Sequence, residues 1–166
     1  MTGTHVELIS VEELPGPDKD KKLGGKWALL HAADAIVSGC PTSMGTVSAG
    51  FKTFMEHTSG PWFGQAWKDK LAGGFTNSGG PSGDELTTML ALVVLAGQHS
   101  MNWISQGIVP SALTGGGKDL NRASAWLGPM ATSGNESPEV TPPAGDRLTA
   151  ELYGERVAKA AARWTK

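Results

Sequence analysis

The sequence predicts an α/β protein built on a parallel sheet, and three features predict it. Short apolar runs alternate with helical patterns along the first two thirds of the chain. The run DAIVSG, residues 34–39, is apolar enough for a strand buried on both faces of such a sheet. Twice, a run of this kind ends in a small-residue segment that opens directly onto a helix: CPTSMGTVSAG at 40–50 and NSGGPSG at 77–83. Open α/β sheets make a ligand crevice in this way at the carboxyl ends of their strands, so both loops are expected to face one ligand.

Taken in order, residues 6–10 (VELIS) have the β-branched and apolar character of a strand, and 12–25 is a charged linker punctuated by Pro and Gly. A short helix is expected over 26–33, then the strand 34–39. Over 48–58, Phe51, Phe54 and Met55 recur at i, i+3 and i+4, the stripe of a helix packed on a sheet, and Ser59-Gly60-Pro61 stops it. Residues 71–78 form the second strand, in which Gly73 and Gly74 permit close packing but add no side chain. Asp84 is placed to cap a helix running to about His99, and 101–109 is a third strand ended by Pro110. Alternation of this kind calls for right-handed crossovers.

Residues 111–147 are a long segment rich in Gly, Ser, Pro and Thr, with a short helix expected near 120–127. Long loops of this type cover sites, join subunits or stay disordered. The last helix, 148–164, should dock on the sheet through Leu152, Val157, Ala160 and Ala161.

Composition sets outer limits. A chain of 166 residues suits a single domain, 1–166, with its own core. The net charge of -2 and the pI near 6.1 supply no basic stripe for nucleic acid. One cysteine, Cys40, excludes an internal disulfide, and no Cys/His pattern has zinc spacing. Cytoplasm is the expected compartment, and Cys40 is expected to be a buried, inert thiol. No apolar run approaches the ~20 residues of a membrane span, and the amino terminus lacks the layout of a signal peptide. Six tryptophans suit packing, subunit contacts or a flat aromatic ligand.

The runs AIVSGCPTSMGTVSAGFKTFMEHTSGPW and LAGGFTNSGGPSGDELTTMLALVVLAGQHSM resemble the flavodoxin-like NAD(P)H:quinone oxidoreductases of the WrbA type. The match extends over 6–109, and NRASAWLGPMATS with TAELYGERVAKAAARW is similar to one branch of the group. The resemblance implies a flavodoxin-like three-layer fold with a five-stranded parallel sheet, bound FMN, and NADH or NADPH as co-substrate. It also implies a quinone or similar small aromatic acceptor, and a homo-oligomer, dimer or tetramer. It further implies that the chain begins at the family's second strand, with the first strand absent together with the loop that holds the FMN phosphate. A sheet lacking that strand is expected to bind FMN weakly and to expose an edge open to strand addition or swapping.

The segment 41–47 carries hydroxyls, a glycine and backbone N–H groups suited to the polar edge and one face of an isoalloxazine ring. The resemblance assigns the flavin contacts to Pro41, Thr42, Ser43, Met44 and Gly45; the alternative is a turn followed by a helix cap. In the second loop it assigns Asn77, Ser78, Gly79, Gly80, Ser82 and Gly83 to the flavin, against an ordinary glycine turn. Trp62 matches a tryptophan lining the nicotinamide and quinone pocket, or else packs in a core or interface. His99 matches a histidine near the flavin and is the candidate catalytic residue, or else it caps a helix. His31 and His57 read as surface or packing residues, and Asp84 with Glu85 as a helix cap, since adjacent residues do not share a helix face.

The chemistry implied is two-electron transfer from NAD(P)H to a quinone, performed by the cofactor and oriented by the protein. Two alternatives remain: an electron carrier like flavodoxin, and a truncated, flavin-free domain with an assembly role. No G-x-S-x-G elbow supports a hydrolase.

Overall fold

The structure is a computed structural model that describes residues 3–164. Its elements are α1 (Trp27–Ala32), β1 (Ala35–Ser43), β2 (Thr46–Val47), α2 (Ala49–His57), α3 (Ser59–Phe63), β3 (Leu71–Ser78), α4 (Glu85–Gln98), β4 (Asn102–Trp103), α5 (Ser111–Thr114), β5 (Met130–Thr132) and α6 (Ala144–Trp164). They make a three-layer α/β fold around a mostly parallel sheet, as expected.

β3 is the strand on which the sheet is assembled. It pairs in parallel with β1 over seven residues, from Ala35↔Leu71 to Pro41↔Asn77, and its other edge carries β4 at the start and β5 at the end. Only β2 is antiparallel, folded back on β1 through the two-residue turn Met44-Gly45, whose φ angles of 49° and 81° fit a tight hairpin. The expected turn at 40–43 is therefore the end of a longer strand.

Side chains alternate across the sheet, so neighbouring glycines receive opposite layers. A Cβ on Gly73 would lie 2.6 Å from the Tyr153 hydroxyl of α6, and one on Gly74 would lie 2.8 Å from Leu92 of α4. α4 buries Met89, Leu92 and Leu95, and α2 buries Phe51 and Phe54, as its stripe predicts. Trp27 of α1 stacks between Phe54 and Trp67, with ring centroids 5.7 and 6.4 Å away.

β4 and β5 leave a gap between them, because the chain departs from the sheet at Ile104 and returns at Pro129. Tyr153 fills this gap. Its hydroxyl accepts from the Gly74 N–H at 3.2 Å and donates to the Ile104 carbonyl at 2.7 Å, replacing the ladder bonds that a continuous strand would supply. Burial pushes the phenol up to about 12, so the donor is intact at any physiological pH.

Several expectations are corrected. Residues 6–10 form no strand: no strand pairs with them, and Val6 and Leu8 are 80% and 93% exposed. The third strand shrinks from 101–109 to two residues. No helix forms at 120–127, where Asn121 and Ser124 have positive φ. There the Asn121 side chain bonds to the Ile108 carbonyl and to both backbone groups of Ala125, which replaces helical pairing. Asp84 makes no side-chain cap, because it sits in the left-handed region at φ 55°. The last helix begins earlier, at Ala144, and docks through Thr149, Tyr153 and Val157, with Leu152, Ala160 and Ala161 only half-buried.

Tyr153→Phe keeps the ring and removes both bonds, leaving the Gly74 N–H and Ile104 carbonyl without their partner. Urea unfolding should show a loss of about 1–3 kcal/mol; a loss below about 0.5 kcal/mol would mean that water mends the ladder equally well.

Candidate functional site

The register Pro41↔Asn77 brings the ends of β1 and β3 side by side, so the two candidate loops share one edge of the sheet. Thr42 joins them. Its hydroxyl lies 2.8 Å from that of Thr76 on β3 and 2.8 Å from that of Thr88 on α4. Thr42 donates to Thr88, so Thr76 supplies the proton to Thr42. Thr42 is thus part of the frame, while Ser43 and Met44 project from the hairpin tip and Met44 is fully exposed.

On the second loop, the Ser78 hydroxyl donates to the Gly80 carbonyl at 2.9 Å and folds the loop over itself. Gly83 has to lack a side chain, since a Cβ there would collide with the Ser78 hydroxyl. Gly79 and Gly80 are different: a Cβ on either would meet nothing within 4 Å. Their backbone faces open space, which is the approach a flat ligand needs. β5 forms the third wall. The Ser133 hydroxyl lies 3.0 Å from Asn77 Oδ1; by donating to it, Ser133 leaves the Asn77 amide NH2 available as a donor toward the crevice.

Beneath the loop lies a charged floor of two buried carboxyl groups and a solvent-exposed arginine. Asp146 is held by Arg122 in a two-pronged contact, Nη2–Oδ2 2.8 Å and Nε–Oδ1 3.3 Å, and also accepts from the Thr132 N–H. Glu85, at the start of α4, is 3% exposed, with Oε1 unpaired. Burial pushes its carboxyl above the usual range and the Asp146 carboxylate reinforces this, against an opposing hydrogen bond from the Ser78 backbone. Glu85 is therefore a buried group under the loop and not part of an exposed cap.

His99 and Trp62 are not brought to this edge. α4 starts at the loops and runs for 14 residues, so its end is about 20 Å away. His99 lies there, 1% exposed, with Nε2 2.9 Å from the Thr58 hydroxyl and its ring 4.4 Å from that of Trp67. Because Thr58 donates to the Met55 carbonyl, His99 must donate from Nε2. Trp62 is at the same end on α3, three residues before Gln65, whose amide reaches the Gln98 carbonyl at 3.3 Å. Both placements have one cause: the helices after the strands run back to the amino-terminal edge. Cys40 is buried, as expected, and its sulfur accepts from the Ser48 N–H.

The residues that sequence reasoning missed here are Ser133, Thr132, Glu85, Arg122 and Asp146. The similarity noted for NRASAWLGPMATS contains Arg122, Thr132 and Ser133 without giving them a role, the sequence reads Glu85 only as part of a helix cap, and the contact from Asn77 to Ser133 spans 56 positions.

Two adjoining loops at strand ends, one with exposed glycine backbone, define the ligand edge of a flavodoxin-like fold. The family model of NADPH-dependent FMN reductases matches residues 2–114, and the chain belongs to that family. It is 38% identical over 134 residues to flavodoxin FldP of Pseudomonas aeruginosa, covering 80% of this chain and 73% of that protein. With quinone-oxidoreductase QR2 of Triphysaria versicolor it shares 32% identity over 111 residues, 60% of this chain and 54% of the relative. A solved flavodoxin, WrbA-like protein from Agrobacterium tumefaciens superimposes with a TM-score of 0.66 at 42% identity, covering 88% of this chain and 78% of that one. No helix among the described residues is long and apolar enough to cross a membrane.

Burial lowers the affinity of His99 for a proton below the ordinary 6.5. Below pH 6.5 the unfolded chain takes up a proton that the folded chain refuses, so stability falls with pH until folded His99 titrates as well. His99→Gln should flatten the dependence of unfolding free energy on pH between about 6.5 and 5. An unchanged slope would show that other groups set it.

Proposed function

We propose that the chain is an FMN-dependent oxidoreductase that passes two electrons from NADH or NADPH to a quinone in the cytoplasm, and that it works as a homo-oligomer. The observation that carries this reading is the open glycine backbone at Gly79 and Gly80 beside the hydroxyl-bearing hairpin at the end of β1. A side chain at either glycine would occupy the space that a flat ring needs, and the two loops offer backbone N–H groups and the Asn77 amide as donors to the polar edge of such a ring. The residues present therefore fit an isoalloxazine. Bound FMN would supply the hydride acceptor and the store of two electrons.

The chain's own part is orientation. Ser78 and Gly83 fix the shape of the second loop, the Thr76–Thr42–Thr88 hydroxyl chain fixes the first loop against it, and Pro41, Ser43, Met44 and Gly45 form the adjoining wall. Ser82 lies exposed on the loop, where its hydroxyl can meet solvent or ligand. His99 and Trp62 of the same chain have no role in the proposal.

Similarity to a protein named flavodoxin at 38% identity favours one alternative, an electron carrier that is reduced by a partner protein. Purified protein titrated with FMN should show the shifted absorption of bound flavin, which NADH or NADPH alone should bleach and a quinone restore. Bound flavin that does not bleach would indicate the carrier; a spectrum of free FMN at all protein concentrations would refute the flavin reading. Gly80→Val, whose side chain enters open space, should fold normally and weaken FMN binding at least about tenfold.

A further inference from the structure

The glycine loop is held to the body of the protein by very little. Among the described residues, 79–83 make one hydrogen bond to a side chain, the Gly80 carbonyl accepting from Ser78 Oγ at 2.9 Å, and one to the following backbone, the Ser82 carbonyl accepting from the Asp84 N–H. The loop closes tightly around the first of these, since a Cβ on Gly83 would strike both Ser78 Oγ and the Gly80 carbonyl. The shape of the ligand edge therefore depends on where Ser78 sends its hydroxyl proton, and a hydroxyl has one proton to send.

A second acceptor competes for it. Glu85 lies below the loop, 3% exposed, and its carboxyl faces both the hydroxyl and the N–H of Ser78. Its Oε1 has no partner, which is costly for a buried carboxylate and is relieved when the group carries a proton. With its own proton committed to Gly80, Ser78 Oγ can only accept from Glu85, and only the neutral carboxyl can donate. Two charged groups face Glu85: Asp146 of α6 disfavours its ionisation together with burial, and Arg122 of the segment before β5 favours it. Arg122 is already engaged by Asp146 in the two-pronged contact.

We propose that Glu85 is a positioning residue for the ligand loop and that it acts through its proton. Neutral Glu85 donates to Ser78 Oγ, which keeps its own hydrogen on the Gly80 carbonyl and holds the loop closed. When Glu85 gives its proton to solvent, the Ser78 hydroxyl turns to the carboxylate and the Gly80 carbonyl loses its donor. The loop then loosens from β3, and the open backbone at Gly79 and Gly80 is no longer fixed against the end of β1. The ligand edge is shaped for a flat ring in the neutral state, so its affinity for one declines as pH rises.

The ligand in this proposal rests on the flavin reading, but the proton on Glu85 can be followed without a ligand. A carboxyl that ionises less readily in the folded chain than at its ordinary 4.5 contributes stability below that pH and loses it as pH rises. Glu85→Gln stays neutral and can still donate to Ser78 Oγ. In urea unfolding the wild type should therefore lose stability relative to Glu85→Gln between about pH 4.5 and 8. In titrations with FMN, the dissociation constant of the wild type should rise about tenfold over the same span relative to that of Glu85→Gln, the ligand's own titration being common to both. Ser78→Ala, which removes the link between Glu85 and the loop, should bind FMN weakly at every pH and follow the Glu85→Gln slope. A difference in unfolding free energy between wild type and Glu85→Gln that does not change with pH would overturn the inference whether or not FMN binds. An excess pH dependence of FMN affinity that survives in Ser78→Ala would also overturn it, because Glu85 would then act on the ligand by charge alone. Absence of FMN binding would overturn the flavin reading only, and the unfolding comparison would then decide the inference by itself.

Discussion

The parallel pairing of β3 with β1 is the constraint on which the rest of the structure depends. Because Gly73 and Gly74 stand side by side in β3, helices approach it closely from both faces: Tyr153 presses on one, Leu92 on the other. A larger residue at either position would displace a helix, since interiors are packed without spare volume. The same closeness lets Tyr153 reach the edge of β3 and repair the ladder where the chain leaves between Ile104 and Pro129. Residues 104–129 can therefore leave the sheet without exposing its backbone.

That pairing also determines where chemistry can occur. Register places Asn77 beside Pro41, and the hydroxyl chain through Thr76, Thr42 and Thr88 binds β3, β1 and α4 into one unit at the ligand edge. Below it, the Arg122–Asp146 pair links the segment before β5 to the start of α6, and Glu85 sits next to both. Ion pairs with one partner open to solvent contribute little net stability. Their effect here is one of position, because Asp146 also holds the Thr132 N–H and thereby holds β5 beside the second loop.

What was legible in the sequence was whatever is written in local periodicity. The stripe Phe51, Phe54, Met55, the bounds of β3 and the two loops needed only neighbouring residues. Residues 6–10 have strand composition, but a strand exists only where another pairs with it, and none does. β5, a three-residue strand inside a Gly- and Pro-rich segment, is made by pairing with β3 some 54 positions earlier, from Thr76 to Met130. Tyr153 escaped notice among the small and charged residues of α6 because its partners, Gly74 and Ile104, lie 79 and 49 positions away. The place of His99 was not legible for a different reason. A helix of 14 residues carries its last residue about 20 Å from its first, to the opposite edge of the sheet.

α4 connects these two edges and serves a distinct purpose on each face. Glu85 and Thr88 support the ligand loops from its first turn, Met89, Leu92 and Leu95 fill the core, and His99 closes its far end against Thr58 and Trp67. Leu86, Leu90 and Val94 remain outside. A displacement of α4 would therefore be felt at the ligand edge and at the far edge together, because Thr88 and His99 are held by one rigid helix.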